Sequence, residues 1–147
     1  SHANAINSST CHQCHPGFIA EDVGAHDCST CTAGTFEAGR THCVPCSVGH
    51  ISRPGATVCD PCPGGTIENG FTECVNCMAG THSNLPNGSS HCIDCQSGYI
   101  SKNKSSYCTI CPVGHHENDL KRCLACKQGT FANTPGAHPY DVWCLVF

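Results

Sequence analysis

The chain has 147 residues, of which 17 are cysteine, 15 glycine and 9 proline, and its formal net charge is −4. Apart from the cysteines, only 24 residues are Leu, Ile, Val or Phe, about 16% of the chain, too few for the continuous apolar core that a soluble domain of this length gathers. Charged residues make up 12%, which does not suit the highly charged composition of a disordered chain; covalent links, disulfides or metal, must replace the core, and a conventional α/β or helical-bundle enzyme is excluded.

Residues 1–10 read as an N-terminal arm. Its start, Ser1-His2-Ala3-Asn4-Ala5, has neither the basic region nor the apolar stretch of a signal peptide, so a secreted form is expected to have lost its signal already. From 11 to 131 the chain repeats. Eight Cys-x-x-Cys pairs occur, at Cys11/Cys14, Cys28/Cys31, Cys43/Cys46, Cys59/Cys62, Cys74/Cys77, Cys92/Cys95, Cys108/Cys111 and Cys123/Cys126, and Cys144 follows alone. The third residue after each pair is glycine: Gly17, Gly34, Gly49, Gly65, Gly80, Gly98, Gly114 and Gly129. Two residues further on stand Ile19, Phe36, Ile51, Ile67, His82, Ile100, His116 and Phe131. The unit is C-x-x-C-x-x-G-x-Φ with a period of about 16 residues, and self-similarity at a fixed period marks a stacked array.

Within a unit, glycine permits a sharp turn. The next residues, such as Gly34-Thr35-Phe36 and Gly98-Tyr99-Ile100, favour a short strand with one side chain turned inward over the disulfide. Turn formers follow in Glu37-Ala38-Gly39, Arg53-Pro54-Gly55, Glu68-Asn69-Gly70 and Pro86-Asn87-Gly88. The segments between pairs are too short and too rich in breakers for packed helices. The predicted fold is a small disulfide-rich protein, an elongated rod of short β-ribbons and irregular loops without a single hydrophobic core. Residues 132–147 form a C-terminal extension with an apolar strand.

Paired Cys-x-x-Cys motifs also suit four-cysteine zinc sites. Eight tandem pairs, an acidic balance and three glycosylation sequons favour an oxidising compartment instead. The sequons begin at Asn7, Asn87 and Asn103. The segment Cys11-His12-Gln13-Cys14-His15 matches the haem-attachment pattern, but no other pair is followed by histidine, and a haem also needs a distal ligand and an apolar pocket. No metal and no cofactor are expected. Joining each second cysteine to the first of the next pair gives Cys14–Cys28, Cys31–Cys43, Cys46–Cys59, Cys62–Cys74, Cys77–Cys92, Cys95–Cys108, Cys111–Cys123 and Cys126–Cys144, leaving Cys11 unpaired or bonded to another chain. Interleaved pairing would leave Cys144 over, and spacing alone does not decide between them. The sequential scheme is favoured because each bridge then closes the loop that carries its unit's glycine and Φ residue.

Units such as Cys31-Thr32-Ala33-Gly34-Thr35-Phe36 with Cys43-Val44-Pro45-Cys46, and Cys62-Pro63-Gly64-Gly65-Thr66-Ile67 with Cys74, resemble the ephrin-receptor-like cysteine-rich repeat. That repeat belongs to the growth-factor-receptor cysteine-rich group and is close to tumour necrosis factor receptor modules; tandem units of this kind are also similar to cysteine-rich surface antigens of protists. The resemblance spans Cys11 to about Phe131 and implies an extracellular, disulfide-laddered rod without a catalytic centre. His82 and His116 depart from the aliphatic or aromatic residue of the pattern.

Seven Lys and Arg residues, scattered and outnumbered by 11 acidic ones, do not form the basic patch that nucleic acid requires. No apolar run approaches the roughly 20 residues of a membrane helix. His12 with His15, and His115-His116-Glu117, are candidates for metal or acid–base chemistry, but no H-E-x-x-H, G-x-S-x-G or triad pattern accompanies them. The apolar tail Asp141-Val142-Trp143-Cys144-Leu145-Val146-Phe147 holds the single tryptophan. It reads either as a cap folding back on the last unit or as an assembly contact through Trp143, Leu145, Val146 and Phe147. The expected function is a non-enzymatic extracellular structural glycoprotein that assembles with copies of itself into a surface coat or filament. The alternatives are a receptor ectodomain, binding or spacer, and more distantly a zinc-binding module.

Overall fold

A computed structural model describes residues 12–84 and 89–137, together with the backbone of residues 145–146. The described residues form eight two-stranded antiparallel ribbons, each made of consecutive strands. Five ribbons have two-residue strands: β1 (Phe18–Ile19) with β2 (Ser29–Thr30), β5 (His50–Ile51) with β6 (Asp60–Pro61), β9 (Thr81–His82) with β10 (Ile93–Asp94), β11 (Tyr99–Ile100) with β12 (Thr109–Ile110), and β15 (Thr130–Phe131) with β16 (Leu145–Val146). Three have four-residue strands: β3 (Thr35–Ala38) with β4 (His42–Pro45), β7 (Thr66–Asn69) with β8 (Glu73–Asn76), and β13 (His115–Asn118) with β14 (Arg122–Ala125). No helix occurs among them, and so none long and apolar enough to cross a membrane.

The spacing between bonded cysteines separates the two classes. The three long ribbons belong to Cys31–Cys43, Cys62–Cys74 and Cys111–Cys123, each with a sequence separation of 12. Here pairing runs up to a three-residue loop, Ala38 opposite His42 and Asn69 opposite Glu73. Glu37, Ala38, Glu68 and Asn69, expected in loops, therefore lie in strands. The physical reason is the turn: Gly39 and Arg40, Gly70 and Phe71, and Asp119 and Leu120 all take positive φ between 52° and 63°, the twist that lets a tight hairpin continue its ladder. In the short ribbons a longer loop leaves the strand after two residues and reaches toward neighbouring units.

The interior consists of sulfur. Among the described residues the buried apolar side chains are Cys14, Cys31, Cys46, Cys62, Cys77, Cys95 and Cys111, joined only by Ile19, Ala132 and Ala137. Each of these cysteines is bonded to the first cysteine of the next pair, giving seven consecutive disulfides in tandem: Cys14–Cys28, Cys31–Cys43, Cys46–Cys59, Cys62–Cys74, Cys77–Cys92, Cys95–Cys108 and Cys111–Cys123. The molecule is a small disulfide-rich repeat rod. The Φ residues contribute less burial than their pattern suggests: Ile19 is 2% exposed, while Phe36, Ile51, Ile67, Ile100 and Phe131 are half-buried.

An isolated two-stranded ribbon is marginal in water, so the units must support one another. They do so through the backbone. The N–H of Gly34 donates to Ser52 O, that of Gly65 to Ser83 O, that of Gly80 to Ser101 O and that of Gly114 to Ala132 O, at 2.8–3.2 Å and each across to the following unit. The turn carbonyls of Arg40, Phe71 and Leu120 accept in the same direction, from the N–H groups of Ala20, Ser52 and Ser101 in the preceding unit, all at 3.0 Å. Contact extends to the unit after next. A Cβ on Gly98 would fall 2.0 Å from Gly136 O, and one on Gly65 would fall 2.3 Å from Lys104 O. Both glycines also carry positive φ, 82° and 81°. Glycine is required there by conformation and by the close approach of a second backbone.

Candidate functional site

The residue after Φ decides how each unit is fastened, a signal absent from the sequence reading. It is Glu37, Glu68 or Glu117 in the long ribbons, and Ala20, Ser52, Ser83, Ser101 or Ala132 in the short ones. Glu68 Oε2 accepts from the N–H of Phe71 at 3.3 Å, and Glu117 Oε2 from that of Leu120 at 3.0 Å. The carboxylate thus holds the positive-φ turn of its own hairpin. The serines instead bridge units: Ser52 Oγ donates to Thr35 O and Ser101 Oγ to Thr81 O, each at 2.8 Å, and Ser101 Oγ also accepts from the N–H of Gly80 at 2.9 Å. Two members of the series lack this service: Glu37 Oε2 and Ser83 Oγ are buried without a hydrogen-bond partner.

The histidines named from sequence fall in different places. His12 and His15 are exposed and line a cleft of about 410 Å³ with Phe18, His26 and Asp27. Cys14, the second cysteine of the haem-attachment pattern, is bonded to Cys28, so its sulfur is not free for a thioether. His115 and His116 stand side by side in β13, half-buried, pairing across the ribbon with Ala125 and Leu124. Nδ1 of His116 is buried without a hydrogen-bond partner. Glu117 points to its own turn, as above, and is committed to structure.

His82 is different. Where most other units place Ile or Phe, it sets an imidazole against the disulfide of the following unit, with Nδ1 3.1 Å from Cys108 Sγ. A disulfide sulfur has no proton to give, so Nδ1 is the protonated nitrogen and donates. A donor nitrogen of His82 and the sulfurs of Cys95 and Cys108 all lie within 4.8 Å of one another. Cys95 is buried and Cys108 half-buried. Beside them opens a cleft of about 460 Å³ lined by His82, Ile93, Asp94, Gln96, Tyr99 and Cys108.

Of the three sequons, the one at Asn103 lies within the described residues; Asn7 and Asn87 fall outside them. Asn103 is exposed, and its Oδ1 accepts from the N–H of Ala79 at 2.8 Å, leaving the amide nitrogen, where a glycan attaches, uncommitted by that bond. Cys11, Cys144, Trp143 and Phe147 also lie outside the described residues, and with them the eighth bridge, Cys126–Cys144. The backbone of Leu145 and Val146 pairs with Phe131 and Thr130 of the same chain. The C-terminal extension thereby supplies the second strand of the eighth ribbon, in line with the fold-back reading of the tail. Against models of known protein families the chain finds no match. No curated protein matches it either.

Proposed function

We propose that the protein is a non-enzymatic structural component of an extracellular surface, a disulfide-laddered and glycosylated rod that assembles with copies of itself into a coat or filament. The observation that carries this reading is the replacement of a core by seven tandem disulfides, a construction that persists where thiols are oxidised. The exposed Asn103 of an Asn-Lys-Ser sequon agrees with passage through a glycosylating secretory route. The resemblance of the units to ephrin-receptor-like repeats points to the same compartment.

Self-assembly would use the same backbone joint that links successive units of the chain. Internal units are joined by a glycine N–H and the carbonyl after the next Φ, as in Gly34 with Ser52. Gly129 in the eighth unit and Ala20 in the first hold the corresponding positions. A second chain docked head to tail would continue the same ladder, and a heterologous contact that does not close propagates as a filament. The test is the secreted full chain, oxidised and glycosylated, studied by sedimentation and negative-stain microscopy across micromolar concentrations. Linear oligomers that lengthen with concentration are expected. A strict monomer over that range, as a receptor ectodomain awaiting a separate ligand would be, overturns the assembly.

A further inference from the structure

We propose that the Cys95–Cys108 rung and His82 form a redox-gated metal site, a structural disulfide when oxidised and a Cys₂His site for a soft divalent cation such as zinc when reduced. Among the described residues this is the one group in which three His, Cys, Asp or Glu donor atoms lie within 4.8 Å of one another. The composition of the set, two thiolates and an imidazole, is that of zinc sites which keep a fourth position for water. With Zn–S near 2.3 Å, tetrahedral geometry separates two thiolates by about 3.8 Å. Breaking the sulfur–sulfur bond therefore lets both sulfurs move apart toward a position that His82 already faces. Among the described residues the other six rungs have no third donor within that distance, so reduction there leaves two thiols and no comparable site.

The chemistry balances with a dithiol as reductant. Its thiolate attacks one sulfur of the rung, forming a mixed disulfide and releasing the other cysteine as a thiolate. Its second thiolate then displaces the remaining cysteine and closes the reagent's own disulfide. Two electrons pass from the dithiol to the rung, and the dithiol's two protons pass to the released thiolates or to solvent. The half-buried Cys108 and the adjoining cleft provide the approach. The N–H of His82, already directed at Cys108, stabilises negative charge as it develops on that sulfur. When the cation binds, the two cysteines lose two protons in all, and the neutral imidazole coordinates with its proton held on the ring nitrogen that does not face the cation, exchanged there through solvent.

The proposal is tested on the full oxidised chain with a limiting phosphine reductant, which takes up oxygen from water as it delivers the same two electrons and competes little for zinc. The reduced cysteines are then alkylated and located by peptide mapping, with and without Zn²⁺. Wild type is expected to open Cys95–Cys108 ahead of the other rungs and to bind one Zn²⁺ per chain. Bound zinc should slow alkylation of that pair at least tenfold. His82→Ile, which restores the residue found at Ile51 and Ile67, is expected to weaken zinc binding at least tenfold while the seven disulfides still form. Cobalt substituted into reduced wild type provides an independent readout through thiolate-to-metal absorption. Zinc uptake unchanged in His82→Ile, uptake by the fully oxidised chain, first reduction at another rung, or no thiolate–cobalt band would each overturn the site.

Discussion

Replacing Gly98 by alanine should loosen the contact between the sixth and eighth units, and Gly114→Ala supplies the control. Both glycines have positive φ, 82° and 80°, so alanine at either meets the same left-handed penalty of about 1–2 kcal/mol. They differ in what the new methyl meets. At Gly114 nothing among the described residues lies within 4 Å of the added methyl, whereas at Gly98 the methyl would stand 2.0 Å from Gly136 O and 2.6 Å from Gly136 C. Relief to ordinary contact requires a shift of more than 1 Å in the loop of the eighth unit. The N–H of Gly136 donates to Cys111 O at 2.8 Å, and a shift of that size breaks the bond, a loss of about 0.5–1.5 kcal/mol. Residual overpacking adds about 1–3 kcal/mol. Gly98→Ala should therefore exceed its control by about 1.5–4.5 kcal/mol, equivalent to at least about tenfold in an opening equilibrium. Amide hydrogen exchange on the oxidised chain reads this directly, since the Gly136 amide should lose that much protection in Gly98→Ala and almost none in Gly114→Ala. Equal protection in the two variants would refute the claim that units hold the unit after next.

The buried serines separate a satisfied hydroxyl from an orphaned one. Ser101→Ala removes a bond to Thr81 O and an acceptor for the N–H of Gly80 and should cost about 1–3 kcal/mol in a denaturant melt, while Ser83→Ala, whose hydroxyl has no partner, should fall within about 0.5 kcal/mol of wild type. Lys104 holds φ 62° where the equivalent loops have Gly55 and Gly136, so Lys104→Gly should stabilise by about 0.5–1 kcal/mol, conformational relief outweighing the entropy of the added glycine; a destabilised melt would contradict this. Removing one rung as Cys62→Ala with Cys74→Ala opens a bridge of sequence separation 12 and should lower stability by about 3 kcal/mol on loop-closure entropy. A loss below about 1 kcal/mol would mean that the ladder is not what holds the fold.

The repeat was legible because cysteine and glycine report covalent and conformational demands that little else satisfies. Scarcity of Leu, Ile, Val and Phe excluded a core, the spacing excluded packed helices, and loop closure favoured bonding Cys31 to Cys43 over Cys14. Strand length was harder to read. Glu37-Ala38-Gly39 looks like a turn by composition, yet two positive-φ residues, Gly39 and Arg40, tighten the loop so that Glu37 stays in the ladder opposite Cys43. At the equivalent place in the seventh unit, Asp119 and Leu120 adopt this geometry without any glycine, which composition does not reveal. The alternation of Glu with Ser or Ala after Φ was visible in the chain but has no meaning until the units are stacked, since Ser52 finds its acceptor 17 residues away. His82 stood out as a break in the pattern. What it faces belongs to the next unit, and no spacing rule reports that.

The stacking also determines how far a local event can spread. Among the described residues seven ribbons are each closed by their own disulfide, and backbone contacts join units to the next one and the one after, so an opened rung disturbs its neighbours and leaves distant units intact, as in a one-dimensional array. The sixth unit holds a particular place in that scheme. Its Lys104 carbonyl is the atom against which Gly65 of the fourth unit packs, and its own Gly98 packs against Gly136 of the eighth. Its disulfide is Cys95–Cys108, the rung beside His82. Opening that bond releases the loop that carries Lys104, which lies between the two cysteines, and loosens contacts in both directions along the rod. Of the seven, the rung furnished with a third donor is thus one whose state is felt on both sides, so chemistry at a single disulfide can alter the stiffness of the rod without dismantling the ladder.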